Sequence, residues 1–118
     1  MSSRDWFFRL QDILNAIDKI ERFIKRMTFA QFKKKELVMD AVIRNFEVIG
    51  EASKNIPNSI KNKYPEIPWA QMNGMRNVLI HQYFGVDTKV VWHTAKKALP
   101  KLKKQLTELS LNHVGKSE

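Results

Sequence analysis

Residues 4–27 read RDWFFRLQDILNAIDKIERFIKRM, and the spacing within this stretch decides the fold. Trp6, Leu10, Ile13, Leu14, Ile17, Ile20, Ile24 and Met27 recur three or four positions apart. That is the period of an amphipathic helix; a half-buried strand alternates at every second residue. The spacing predicts a helix over 4–27, opened by Ser3 and Asp5. Working outward, residues 28–35 read as a turn or short helix, plugged to the core by Phe29 and Phe32.

The same period continues downstream. A second long helix is expected over 35–55, with Val38, Ala41, Val42, Ile49, Ala52 and Ile56 as its apolar stripe. Arg44, Glu47, Glu51 and Lys54 form a second, wholly charged stripe, expected to be a solvated or dimer-facing seam. Pro57 and Pro65 bracket a broken region, and Pro68 suits the first turn of a short helix over 68–81. Gly85 then interrupts the chain. Asp87 is a suitable cap for a last helix over 87–111, whose core face is Val91, Ala95, Ala98, Leu102, Leu106 and Leu109. Pro100 lacks an amide hydrogen, so a kink is expected there, with the apolar period resuming in phase. No alternating pattern competes with these helices. The fold class is all-α: an antiparallel bundle of about four to five helices in one domain over 1–118, frayed from about 112.

The composition narrows the chemistry. With 118 residues of which 43% are hydrophobic, the chain can bury a core without staples, and a disordered chain would lack that apolar content. The absence of cysteine excludes disulfides, thiolate metal sites and cysteine nucleophiles, and suits a reducing cytoplasm. The opening MSSRDWFFRLQD has no apolar signal-peptide core, and no run approaches the ~18 apolar residues of a membrane span. The net charge of +9 favours polyanions, acidic proteins or anionic surfaces as partners, or serves solubility alone.

The densest polar cluster is MRNVLIHQYFGVD, Met75 to Asp87. Arg76, Asn77, His81 and Tyr83 stand there among apolar neighbours, an environment that excludes water and strengthens electrostatics. Asn77 and His81, four apart, share a helical face, whereas positions 76 and 81 diverge by about 140° on a regular helix. For Arg76 and His81 to cooperate, the helix must distort or end before His81, or Arg76 of one subunit must meet His81 of another. The competing structural reading is an ordinary salt bridge and a histidine at a helix C-terminus. His81, Asp87 and His93 match no standard metal-binding spacing, so no metal site is expected. Glu47 and Glu51 share a face but lack any sugar-binding context. On the last helix His93, Lys97, Lys101 and Lys104 form a basic ridge, either a solvent face or a set of phosphate contacts.

The stretch RNVLIHQY, with Arg76, four residues, His81, one residue and Tyr83, resembles the signature of the HEPN superfamily, specifically its HepT toxin branch. DAVIRNFEVIGEASKNIP, YPEIPW, GMRNVLIHQYFGVD and VVW look typical of that branch, in the same order. Gln82 departs from the pattern, standing where many relatives carry an acidic residue, and it leaves Arg76 and His81 intact. The resemblance implies a HEPN-like bundle acting as a homodimer, with both motifs facing one cleft, and a metal-independent, cofactor-free ribonuclease. Catalytic roles fall on Arg76 and His81 with Asn77 in support, and Lys97, Lys101 and Lys104 become candidate nucleic-acid contacts. It further implies a toxin–antitoxin pair in which a minimal nucleotidyltransferase (MNT) antitoxin silences the toxin by attaching AMP to Tyr83. The alternative is a non-catalytic nucleotide- or RNA-binding adapter that docks the nucleotidyltransferase.

Overall fold

The computed structural model describes the backbone of residues 3–81 and 87–116, and the side chains of 5–76 and 87–114. The described residues form helices joined by short turns, with no strand among them. Helix α1 spans Ser3–Ile24 and buries Trp6, Leu10, Ile13, Ile17, Ile20 and Ile24, all members of the expected stripe; Leu14 and Met27 are half-buried against them. Asp5 in the first turn and Arg22 in the last complement the helix dipole.

Helix α2, Phe29–Lys34, starts with a reciprocal cap: the Gln31 amide donates to Thr28 Oγ1 at 3.2 Å, and the Thr28 amide to Gln31 Oε1 at 3.0 Å. Phe32 is fully buried, its ring 5.1 Å from that of Trp92. Helix α3, Glu36–Lys54, buries Val42, Ile49 and Ala52 as expected and adds Phe46; Ile56 is buried just beyond it. Val38 and Ala41 sit at the edge of that stripe, half-buried.

The broken region between Pro57 and Pro65 holds a helix the periodicity does not reveal, α4 at Asn58–Lys63. Six residues are too few to display an apolar period, and its one apolar member, Ile60, packs on the core. The Tyr64 carbonyl then accepts from Trp69 Nε1 at 3.0 Å, fixing the entry to α5, Trp69–His81. Pro68 stands one position before this helix and its carbonyl accepts from the Met72 amide. Trp69 and Met72 carry α5 into the core.

Asp87 caps α6, Thr88–His93, accepting from the amides of Lys89 and Val90 at 3.1 and 3.4 Å. A π-turn at Thr94–Ala98 follows without a break, then α7 at Leu99–Lys116. The disturbance expected at Pro100 takes the form of this π-turn, and the helix continues past it without a stop. Pro100 has no N–H to bond the carbonyl four residues back, and its ring crowds that carbonyl. A turn closed by the Leu99 amide on the Thr94 carbonyl, five residues back, widens the helix just ahead of the ring. Within this turn the buried position is Leu99 in place of the expected Ala98, which is exposed, and the apolar period resumes in phase at Leu102. Val91, Ala95, Leu102, Leu106 and Leu109 are buried as expected.

Helix α7 also outlasts the expected end at Leu111. Its backbone is helical through Lys116, where fraying from about 112 is expected from sequence. His113 explains the extension, with its ring 4.6 Å from Trp6 and 5.0 Å from Phe7. Further along, Gln11 donates to Ser110 Oγ, Lys103 Nζ meets Glu21 at 2.9 Å, and Lys96 Nζ donates to the Ile24 carbonyl. Rising numbers on α1 meet falling numbers on the helix opposite, so the two run antiparallel. The hydrogen bond and charge of Glu21 hold the Lys103 ammonium above its ordinary pKa.

Candidate active site

Helix α3 packs on both α1 and α5, and the two helices α3 and α5 approach closely at Gly50. A Cβ built on Gly50 would lie 3.0 Å from Arg76 Cβ, 3.1 Å from the Arg76 amide nitrogen and 3.3 Å from the Met72 carbonyl oxygen. The missing side chain is what lets α5 pass so near. One residue on, Glu51 Oε2 accepts from Arg76 Nη1 at 2.7 Å. Both side chains remain about half exposed, at 47% for Arg76 and 56% for Glu51.

This pair borders a cleft of about 350 Å³ between α1, α3 and α5. Two more arginine–carboxylate pairs line it: Arg9 with Asp12 at 3.2 Å, and Arg44 with Glu47 at 3.3 Å. Those two are local pairs within one helix, whereas the Glu51–Arg76 pair joins two helices. The charged stripe of α3 is therefore divided. Arg44 and Glu47 satisfy each other, and Glu51 is committed to the arginine singled out from the sequence.

Helix α5 is α-helical from Trp69 through His81. An end or distortion before His81 is thus not how Arg76 and His81 could meet. The backbone places positions 76 and 81 about 140° apart around one axis, with 77 and 81 on a shared face. The side chains of Asn77 and His81 lie outside the described residues, and so does the whole of Tyr83. Asp87, weighed as a metal ligand, is engaged as the cap of α6.

The basic ridge is exposed as expected at His93, Lys97, Lys101 and Lys104. Its neighbours Lys96 and Lys103 turn inward, Lys96 over the Trp92 ring at 5.0 Å and onto the Ile24 carbonyl, Lys103 onto Glu21. The ridge thus retains the lysines that the bundle does not use for packing. The lining of the Arg76 cleft contains none of them.

A family described as "Ribonuclease HepT-like" matches residues 13–109. This chain belongs to the HepT-like ribonuclease family. Among its relatives, "Putative RNase MJ1216" of Methanocaldococcus jannaschii is 46% identical over 118 residues, covering 100% of this chain and 98% of that protein. "Probable ribonuclease HepT" of Thermococcus cleftensis is 50% identical over 100 residues, covering 85% of this chain and 91% of that one. No solved structure matches the chain.

In this HepT-like chain Gly50 is the residue that the sequence pattern does not mark out, and Glu51, placed in the charged stripe, has a partner that the pattern does not name. Glycine in a helix interior is a local cost of about 0.5–1 kcal/mol relative to alanine, so its presence in the middle of α3 is the signal that could mark a close approach. Nothing in the spacing of Glu51 indicates a partner 25 residues later.

Proposed function

We propose that this chain is the RNA-cleaving toxin of a toxin–antitoxin pair, acting in the cytoplasm as a two-fold dimer without a metal. The observation that carries the reading is the placement of Arg76 in a HepT-like chain. Its guanidinium is half exposed at a cleft, tied to Glu51, on a helix that continues through His81. The separation of positions 76 and 81 around one helix favours a site shared by two copies, with Arg76 and His81 of both lining one groove.

The chemistry is transfer of a phosphate within RNA. A 2′-oxygen attacks the adjacent phosphorus, the bond to the 5′-oxygen breaks, and a 2′,3′-cyclic phosphate and a 5′-hydroxyl result. The nucleophile comes from the substrate, so the protein must move protons and stabilise charge. His81 accepts the 2′-hydroxyl proton, and its counterpart in the second copy supplies one to the leaving oxygen; histidine titrates near neutral pH. Arg76 braces the phosphate oxygens with its planar fork. Asn77, one turn before His81, orients the imidazole or the substrate. Lys97, Lys101 and Lys104 contact flanking phosphates. An MNT-type nucleotidyltransferase silences the toxin by attaching AMP to Tyr83.

The test is cleavage of RNA by the purified chain, with and without a chelator, beside folded His81→Ala and Arg76→Ala. Both variants should lose cleavage, and the chelator should have no effect. Full cleavage by His81→Ala would refute the mechanism; loss of activity to the chelator, restored by added metal, would refute its metal-free part. A wild-type chain that binds a nucleotidyltransferase and cuts no RNA would favour the adapter.

A further inference from the structure

We propose that Glu51 is the positioning residue for Arg76, and that Gly50 beside it sets the distance between α3 and α5 at which the pairing works; this inference rests on the ribonuclease reading. Arginine has a long, flexible side chain, and an exposed one samples many rotamers. To stabilise a phosphate as its charge develops, the guanidinium must be in place beforehand. The bundle supplies that order through one contact. At 2.7 Å the Nη1–Oε2 separation is at the short end for a charge-assisted hydrogen bond.

The exposure of the pair indicates what the contact is for. An ion pair with both members about half in solvent adds little to stability. A bundle with a fully buried core of leucine, isoleucine and phenylalanine has little need of it. Its effect is on orientation. A guanidinium has five N–H donors; among the described residues Glu51 engages one nitrogen, Nη1, and no other partner meets the donors on Nη2 and Nε, which are the ones assigned to phosphate oxygens. The placement of Gly50 makes the arrangement reproducible. With Arg76 Cβ at 3.0 Å from the missing Cβ of residue 50, the base of the arginine is fixed against α3 while Glu51 fixes its tip. Arg9 and Arg44 in the same cleft have carboxylate partners on their own helices and, among the described residues, no such cross-helix anchor.

The experiment compares steady-state RNA cleavage by wild type, Glu51→Ala and Glu51→Gln, with folding checked by thermal melts. Nitrogen relaxation of the arginine Nε–H groups is read in parallel. Wild-type Arg76 should be more ordered than exposed Arg26, and Glu51→Ala should loosen it. Glu51→Ala should lower kcat by about 10- to 100-fold, the scale of misplacing a catalytic group, with KM unchanged or lower because Arg76 is freed from a competing carboxylate. Glu51→Gln keeps an acceptor oxygen and should retain most of kcat. Unchanged kcat in a folded Glu51→Ala overturns the proposal, and so does Glu51→Gln as inactive as alanine, which would mark a proton-transfer role. Wild-type Arg76 as mobile as Arg26 overturns it whatever happens to RNA. A wild-type chain that cuts no RNA refutes the ribonuclease reading, and the positioning role of Glu51 in cleavage with it. A cutting wild type beside an equally active Glu51→Ala refutes this inference alone.

Discussion

Gly50 and Arg76 mark a close approach between α3 and α5: a β-carbon on residue 50 would stand 3.0 Å from Arg76 Cβ and 3.1 Å from its amide nitrogen. Two effects oppose each other in Gly50→Ala. Helix propensity favours alanine by about 1 kcal/mol. Overpacking against atoms that cannot rotate away costs about 1–3 kcal/mol, and the atoms met are backbone and the base of a side chain. Steric cost should win, giving a lower midpoint in urea together with weaker cleavage as Arg76 is pushed off its position. Gly74 is the control. No described atom lies within 4 Å of a Cβ built there, so Gly74→Ala should gain about 0.5–1 kcal/mol and leave activity intact.

The end of α7 should behave as structure and not as a loose tail. His113 packs on Trp6 at 4.6 Å and 63°. Aromatic pairs in such edge-on arrangements contribute about 0.5–1.5 kcal/mol. His113→Ala should lose that much in urea denaturation and shift the emission of Trp6. Leu111→Ser, at a position 66% exposed, should stay within about 0.5 kcal/mol of wild type. A His113→Ala chain with unchanged stability would mean that the last turns contribute nothing to the bundle.

The lysines of the last helix separate into two kinds, and RNA binding should distinguish them. Replacing Lys97, Lys101 and Lys104 together with alanine should reduce the slope of log affinity against log salt by about two, since each single-strand phosphate contact contributes about 0.7. Lys96→Ala should leave the slope alone and lower stability, because Lys96 is spent on the Ile24 carbonyl and the Trp92 ring. An unchanged slope in the triple variant would make the ridge a solvent face only.

The parts of the fold that were legible in the sequence are those where one period runs long enough to be seen. The stripes of α1 and α3 announce themselves, as do the Asp87 cap and the core leucines of α7. Helix α4 has six residues and one apolar contact, too little for a period. The π-turn was hidden because Pro100 signals a disturbance without its form, and only within that turn does the buried position pass from Ala98 to Leu99. For the site, the motif arginine could be named, but its partner could not. An ion pair between helices depends on how two backbones pack, and that is set by Gly50, whose meaning appears only when α5 lies against it.

The final prediction concerns Tyr83, which follows His81 by two residues and precedes Gly85. If a nucleotidyltransferase attaches AMP to its hydroxyl, a phosphate becomes fixed close in sequence to His81, the histidine proposed to move protons. That phosphate would compete for the positive charge RNA must use, and the adenosine would add bulk at the groove. The phenolic oxygen has no part in the transfer proposed for the 2′-hydroxyl, so Tyr83→Phe should keep most cleavage activity. It should also resist silencing by modification, leaving only whatever inhibition tight binding of the partner exerts. The measurement is intact-mass and peptide mass spectrometry of the chain co-expressed with the proposed partner nucleotidyltransferase, beside cleavage assays of both forms. An adenylyl adduct on Tyr83 with loss of cleavage is the expected result. An adduct on Tyr64, which sits half-buried at the end of α4, or inhibition that persists with no modified tyrosine, would assign silencing to another residue or to binding alone.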